Sequence, residues 1–357
     1  MEQNGMTSQE RIRLALAHKE PDRVPIQDSI WSATLTRWRR EGMPEEVSPQ
    51  EYFGFEMVSL GVDLSPMFPI RVLERNEEYI VETTRDGEVL RNHRDRSTTP
   101  EVMDSPVKTK ADWEEIKRRL QPSHTRVDWV TLRDSYHRAR SEGKYITFSA
   151  VTGYDRVQRF MRSEQLLLTL ALDPDWIRDM AETNADLIIE MAKMVMEAGF
   201  QFDGAFTYND MGYRKGLLFS PKTYRQVFKP SEKRLWNFFH ANGMKVLLHS
   251  CGNINELIPD LIEIGLDCLQ PLEVKSQMDL IHLKQEYGND LAFMGGIDVR
   301  AMFDPDPAAI EREISTKFPV AMKGSGYIYH SDHSVPLNVS FQQYQRVMEL
   351  VHRYWNY

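Results

Sequence analysis

From Lys144 onward the chain repeats one grammar, a short apolar run, a turn and then a longer amphipathic run, several times over. Short apolar runs bounded by turns read as buried strands, and longer runs with apolar positions every three to four residues read as helices. Strands that alternate with helices pack as a parallel sheet, because each helix is the crossover that carries the chain back to begin the next strand. The predicted strands are Tyr145 to Ala150, Gly204 to Tyr208, Lys245 to His249, Asp267 to Pro271, Leu291 to Gly295 and Tyr327 to His330. Val24 to Ser29 and Ser59 to Ser65 precede them. Asp173-Pro174, Ser220-Pro221 and Asp306-Pro307 each place a capping residue before a proline, which marks a helix start. Eight such units close into an α/β fold of the (β/α)8 TIM-barrel type, with an open doubly wound sheet as the rival.

The N-terminal third has a different texture. Thr7-Ser8-Gln9-Glu10 matches a capping box and opens an amphipathic helix, and Trp31 to Glu41 reads as a second helix. Tyr79 to Thr83 and Glu88 to Asn92 flank Asp86-Gly87, a strong short-range signal for a β-hairpin. The expectation is a single domain over residues 1–357, with a hairpin insertion at about residues 70–110.

Charge and cysteine content exclude several functions. The formal charge of −9 and the lack of any Lys/Arg-rich block argue against a nucleic-acid surface. The two cysteines, Cys251 and Cys268, are too few for a disulfide framework and fit a reducing cytoplasm. Met1 to Glu10 is polar, unlike a signal peptide, and no apolar run approaches the roughly 20 residues that span a bilayer. A soluble cytoplasmic protein acting on small molecules is expected, with monomer and homodimer both open.

A barrel of this kind carries its chemistry at the C-terminal ends of the strands. Read in order, those ends supply Asp28, Asp63, Asn209, Asp210, His249, Cys251, Gln270, Glu273, Asp298, His330, Asp332 and His333. Within that ring, His249-Ser250-Cys251-Gly252-Asn253 stands out, because strand alternation aims positions i and i+2 the same way. Imidazole and thiolate are both zinc ligands, and a catalytic zinc needs about three protein groups plus an open position. The alternative is a buried thiol beside a satisfied imidazole. Asp210 fits a metal ligand, a supporting partner or a substrate anchor, and equally, with Asn209, an Asx turn leading to Gly212. Glu273 fits a ligand, an acid/base or a helix cap, and Asp298 an orienting group or a cap. Trp31, Tyr154 and Tyr208 would line a cleft or pack in the core.

These residues resemble the uroporphyrinogen decarboxylase superfamily, and in particular its methyltransferase branch that works with corrinoids. The resemblance runs from about Arg11 to the C-terminus. It rests on Tyr208-Asn209-Asp210-Met211-Gly212, Phe219-Ser220-Pro221, the His249 to Asn253 stretch, Gln270-Pro271-Leu272-Glu273, Gly295-Gly296-Ile297-Asp298 and Tyr329 to Pro336. It implies one (β/α)8 barrel and a zinc ion held by the His-x-Cys pair. The branch's further cysteine aligns with His333, so the implied zinc ligands are His249, Cys251 and His333. The candidate catalytic set is Asp210, Glu273 and His333, with Asp63, Tyr154, Tyr208, Asn209, Asp298 and His330 toward the substrate. The implied reaction moves a methyl group between a small molecule (a methyl ether, a methylamine or a thiol acceptor) and a corrinoid, either free cobalamin or one carried by a partner protein. A metal-free decarboxylase or lyase, a non-catalytic tetrapyrrole carrier and a structural zinc are the alternatives. Against porphyrinogen decarboxylation stands Pro25 to Trp31, where the decarboxylases have an arginine-rich stretch and this chain has no arginine.

Overall fold

The computed structural model describes residues 5–94 and 99–357. In chain order the strands are β1 (Met57–Leu60), β2 (Val72–Arg75), β3 (Tyr79–Thr83), β4 (Val89–His93), β5 (Glu101–Asp104), β6 (Tyr145–Val151), β7 (Gly204–Tyr208), the short pair β8 (Gly212–Tyr213) and β9 (Gly216–Leu217), β10 (Lys245–His249), β11 (Cys268–Gln270), β12 (Ala292–Met294) and β13 (Tyr327–Ile328). Seven of them form one curled parallel sheet in the order β1-β6-β7-β10-β11-β12-β13. Sequential neighbours pair throughout, as expected when each connection is a right-handed crossover over one face.

Alternation along the strands separates two buried zones. Val246 and Leu248 of β10 join the large core packed against the helices, while Leu247 belongs to a smaller cluster with Tyr145, Phe206, Cys268, Met294 and Ile328. Ile12, Ala15 and Leu16, from the helix Ser8–Leu16, complete that inner cluster. The expected Thr7–Glu10 capping box sets this helix. It covers the inner cluster at the end where the strands begin.

Three expectations are corrected here. The predicted first strand, Val24 to Ser29, is reduced to an isolated bridge between Ile26 and Tyr329. Pro25 has no N–H to extend a ladder, and the Gln27 side chain rather than its backbone takes the Met57 N–H at 3.0 Å. The segment still touches both edges of the sheet, through Glu56 N–H to Ile26 O at 3.0 Å and Tyr329 N–H to Pro25 O at 2.9 Å. The expected hairpin forms around Asp86-Gly87 as β3 and β4, but inside a four-stranded antiparallel sheet, β2-β3-β4-β5. A lone hairpin is marginal in water, and the two flanking strands cover its edges. The helix expected at Asp306-Pro307 begins at Ala309, because Asp306 spends its carboxylate on the Ala308 N–H and on Arg312.

Both cysteines are free thiols. No helix among the described residues is long and apolar enough to cross a membrane.

Candidate functional site

β10 ends at His249, which lies in register with Tyr208 of β7 and Gln270 of β11. His249 Nδ1 is 2.5 Å from Gln270 Oε1, and its ring centroid is 5.3 Å from that of Tyr208. Beyond His249 the backbone turns at Gly252, whose φ is +81°. A Cβ there would sit 2.2 Å from the Gly212 carbonyl carbon, so only two glycines allow the loops after β7 and β10 to cross this closely.

That crossing brings Asp210 to the pair. The Cys251 N–H donates to Asp210 Oδ1 at 2.7 Å, and the Asn253 N–H donates to Tyr213 O at 2.9 Å. His249 Nε2 is then 3.4 Å from Cys251 Sγ and 3.5 Å from Asp210 Oδ1. One ligand atom from each of Asp210, His249 and Cys251 lies within 4.8 Å of the other two. All three are partly exposed, so the cluster has an open side. Burial pushes the Cys251 thiol up, and the charges of Asp210 and Glu273 add to this, so a neighbouring cation is what would hold it as thiolate. Nitrogen, sulfur and carboxylate oxygen converging on one open point fit zinc.

Glu273 stands behind this turn. Its Oε2 accepts from the Gly252 N–H at 2.8 Å and from Ser276 Oγ at 3.0 Å, and its Oε1 pairs with Lys275 at 3.1 Å. Burial alone would raise its pKa, but the Gly252 N–H and Lys275 hold it below the ordinary value. Gly252→Ala should therefore do two things at once, lowering stability by more than about 1 kcal/mol for a side chain forced to positive φ and parting Cys251 from Asp210. Thermal melting and zinc uptake of the variant check both.

Beside the cluster lies a cavity of about 310 Å³, lined by Ser29, Trp31, Phe206, Tyr208, His249, Cys251, Gln270, Pro271, His333 and Ser334. Its described lining includes no lysine or arginine. His333 is at its wall, with its ring centroid 5.8 Å from Trp31 and Nδ1 3.0 Å from Ser334 O, and it is outside the Asp210-His249-Cys251 group.

Other candidates fall elsewhere. Asn209 is buried on the opposite side of β7 from Tyr208, where its amide donates to Glu232 at 2.6 Å and its oxygen receives the Asp155 N–H at 3.2 Å. Tyr154 is a core residue packed on Phe219 and Phe228. Asp298 caps the turn Val299–Met302 and chelates Arg300. Asp63 binds Ser65 and pairs with Arg85 at 2.6 Å. His330 is buried behind Gln270, and Asp332 receives the Val274 and Val299 N–H groups at 2.9 Å each. None of these six lines the cavity.

Two neighbours of the site escaped the sequence. Phe206 lines the cavity, and the i, i+2 relation to Tyr208 on β7 was the available signal. Asp155, at the start of the helix Gly153–Gln158, has its carboxyl lifted by burial to about 6, against the pull of Arg159 and with the help of Asp210. No local pattern announced it.

The profile of the family described as Uroporphyrinogen decarboxylase (URO-D) matches residues 93–354. The chain belongs to this family. A curated relative, a methylated-thiol–coenzyme M methyltransferase of Methanosarcina mazei, is 29% identical over 82 residues. That stretch is 23% of this chain and 20% of the relative, so the match spans about a fifth of the relative's length. A solved methyltransferase from Methanosarcina mazei superposes with a TM-score of 0.68 over 98% of this chain and 99% of that one, at 15% identity. At that identity the likeness is one of fold. Within the family, the chain is thus similar to proteins named as methyltransferases.

Proposed function

We propose that this protein is a zinc-dependent methyltransferase, moving a methyl group between a small molecule and a corrinoid that is either free or carried by a partner protein. The observation that carries the reading is the convergence of Asp210, His249 and Cys251 beside a cavity that is mostly apolar and aromatic. Zinc bound there would supply Lewis acidity toward the heteroatom that bears or receives the methyl group. The ligands in this reading are Asp210, His249 and Cys251. His333 is then a cavity wall group facing the substrate, and Glu273 fixes the turn that carries Cys251.

The cavity's own side chains set the substrate. Trp31, Phe206, Tyr208 and Pro271 exclude water and offer flat apolar contact, which suits a methyl ether or methyl thioether better than a polyacid. The lack of a guanidinium or ammonium in the described lining weighs against the decarboxylase reading, because buried carboxylates need such partners. Pro25 to Gln27 serves in this reading as the eighth stave of a closed barrel, between β1 and β13, leaving one mouth for substrate and corrinoid. A reduced Cys251 suits a cytoplasmic location.

The test is the zinc content of protein purified without added metal or chelator, followed by absorbance-monitored demethylation of methylcobalamin with thiol acceptors and remethylation with methyl ethers. About one zinc per chain together with corrinoid turnover is the expected result. Metal-free protein that takes up no zinc on titration would end this reading.

A further inference from the structure

His330 looks like a substrate residue in the sequence, yet it is only 1% exposed. Its Nδ1 lies 2.6 Å from the Ser331 carbonyl. A carbonyl oxygen only accepts, so Nδ1 carries the proton. Burial disfavours a second proton on the ring, although the Asp28 carboxylate pulls the other way. The neutral ring therefore presents Nε2 as a bare acceptor.

Two groups face that acceptor. Ser29 Oγ and Gln270 Nε2 are each 3.3 Å away, and both can donate. With the amide NH2 of Gln270 committed to His330, its Oε1 points at His249 Nδ1, 2.5 Å away. The opposite amide orientation would set two lone pairs against each other at His330. Oε1 can only accept, so His249 carries its proton on Nδ1. In the neutral ring Nε2 is then the acceptor, and it faces Cys251 Sγ at 3.4 Å and Asp210 Oδ1 at 3.5 Å.

The far end of the chain is anchored. Ser331 Oγ donates to Asp28 Oδ2 at 2.5 Å, and Tyr344 OH donates to the same oxygen at 2.7 Å. Asp28, Gln270 and His330 are all buried, which strengthens the bonds among them.

We infer that Gln270 and His330 form a directional hydrogen-bond relay, anchored through Ser331 on Asp28, that locks His249 in the Nδ1–H tautomer and presents its Nε2 lone pair to Asp210 and Cys251. Both are positioning residues. A metal-binding histidine usually gives its other N–H to a carboxylate, carbonyl or water. Here a carboxamide takes that place, and a second histidine decides which way the amide faces. The consequence for zinc rests on the function proposed above; the tautomer does not.

The test is long-range 1H–15N correlation spectroscopy on metal-free protein labelled with 15N-histidine, alongside zinc affinity by chelator competition. Wild type should show His249 and His330 both as Nδ1–H. In Gln270→Leu, His249 should move to the Nε2–H form or a mixture, and zinc affinity should fall about 10- to 100-fold. In Gln270→Glu both terminal oxygens accept, so His249 should keep Nδ1–H and most of its affinity while the His330 signature moves. A merely structural role for Gln270 would not yield that split. An Nε2–H signature for His249 in wild type, or no change in Gln270→Leu, overturns the relay, and the wild-type spectrum decides even if a variant does not fold. The expected tautomers in a protein that binds no zinc would uphold the relay and end the metal reading.

Discussion

Cys251→Ser should lower methyl transfer by about a thousandfold and empty the zinc site while leaving the melting temperature of the metal-free protein nearly unchanged. A metal acting as Lewis acid contributes several kcal/mol, and each 1.4 kcal/mol is about a factor of ten in rate. A serine hydroxyl stays protonated at neutral pH and is a poor zinc ligand, so the donor set drops to Asp210 and His249. The fold has little reason to respond, because the Cys251 backbone N–H still donates to Asp210 Oδ1 and Glu273 still holds the Gly252 N–H. Asp210→Asn tests the same cluster from the other side. The amide oxygen can keep the loop bond, so any loss of zinc reports the missing negative charge and not a displaced turn. His333→Ala separates the two candidate ligand sets. With Asp210 as third ligand it keeps its zinc and shows its defect in KM or kcat; with His333 as third ligand, zinc and activity fall together. Zinc per folded chain in these three variants, measured beside the rates, is the check.

The alternation of side chains along a strand explains both the legible part of this site and a residue misplaced in it. It placed His249 and Cys251 together, and β10 ends at the residue expected. The same rule applied to β7 sends Tyr208 to the inner face and its neighbour Asn209 away from it, to Glu232; counting Asn209 toward the substrate overlooked a signal that was present. Strands β7 and β10 were readable because they are continuous apolar runs bounded by turn residues. The segment around Ile26 was read as a full strand, Val24 to Ser29, and is only an isolated bridge, because part of its pairing is made by the Gln27 side chain, which no periodicity reports. The proximity of Asp210 to Cys251 is a different kind of omission. It depends on Gly212 meeting Gly252 from a separate loop, a contact visible only after β7 and β10 pair. His330 carried the right residue type at a strand end, but its ring is 1% exposed and hydrogen-bonds Gln270 and Ser29, so it does not line the cavity.

Glu56→Ala is the substitution expected to cost most in stability without touching the chemistry. Glu56 is 1% exposed, just before β1, at the end of the strands opposite the Asp210-His249-Cys251 cluster. Its carboxylate pairs with Arg11, receives both terminal nitrogens of Arg23 at 3.0 and 3.1 Å, and takes the Ile26 N–H at 2.6 Å. Its backbone does as much, donating to Ile26 O and receiving the Tyr145 N–H, each at 3.0 Å. One residue thus ties the short Ile26 stave to β1 and β6. Removing the carboxylate leaves a buried N–H without a partner and strips the buried Arg11 guanidinium of one of its two carboxylates, the other being Asp22 at 2.6 Å. Breaking a buried pair from one side costs about 3–5 kcal/mol. Asp22 compensates part of the charge, so about 3 kcal/mol is expected, a large share of the 5–15 kcal/mol that holds a typical domain together. Glu56→Gln should lose about half as much, since its amide oxygen can still take the Ile26 N–H. Urea unfolding of the two variants gives the ranking, and zinc per folded chain should match wild type in both, because the strand ends at His249 and Gln270 are held by the relay and the glycine crossing and not by this carboxylate. A loss below about 1 kcal/mol for Glu56→Ala would mean that desolvating the Arg11–Glu56 pair cancels its attraction, and the Ile26 stave would then be held by its backbone bonds alone.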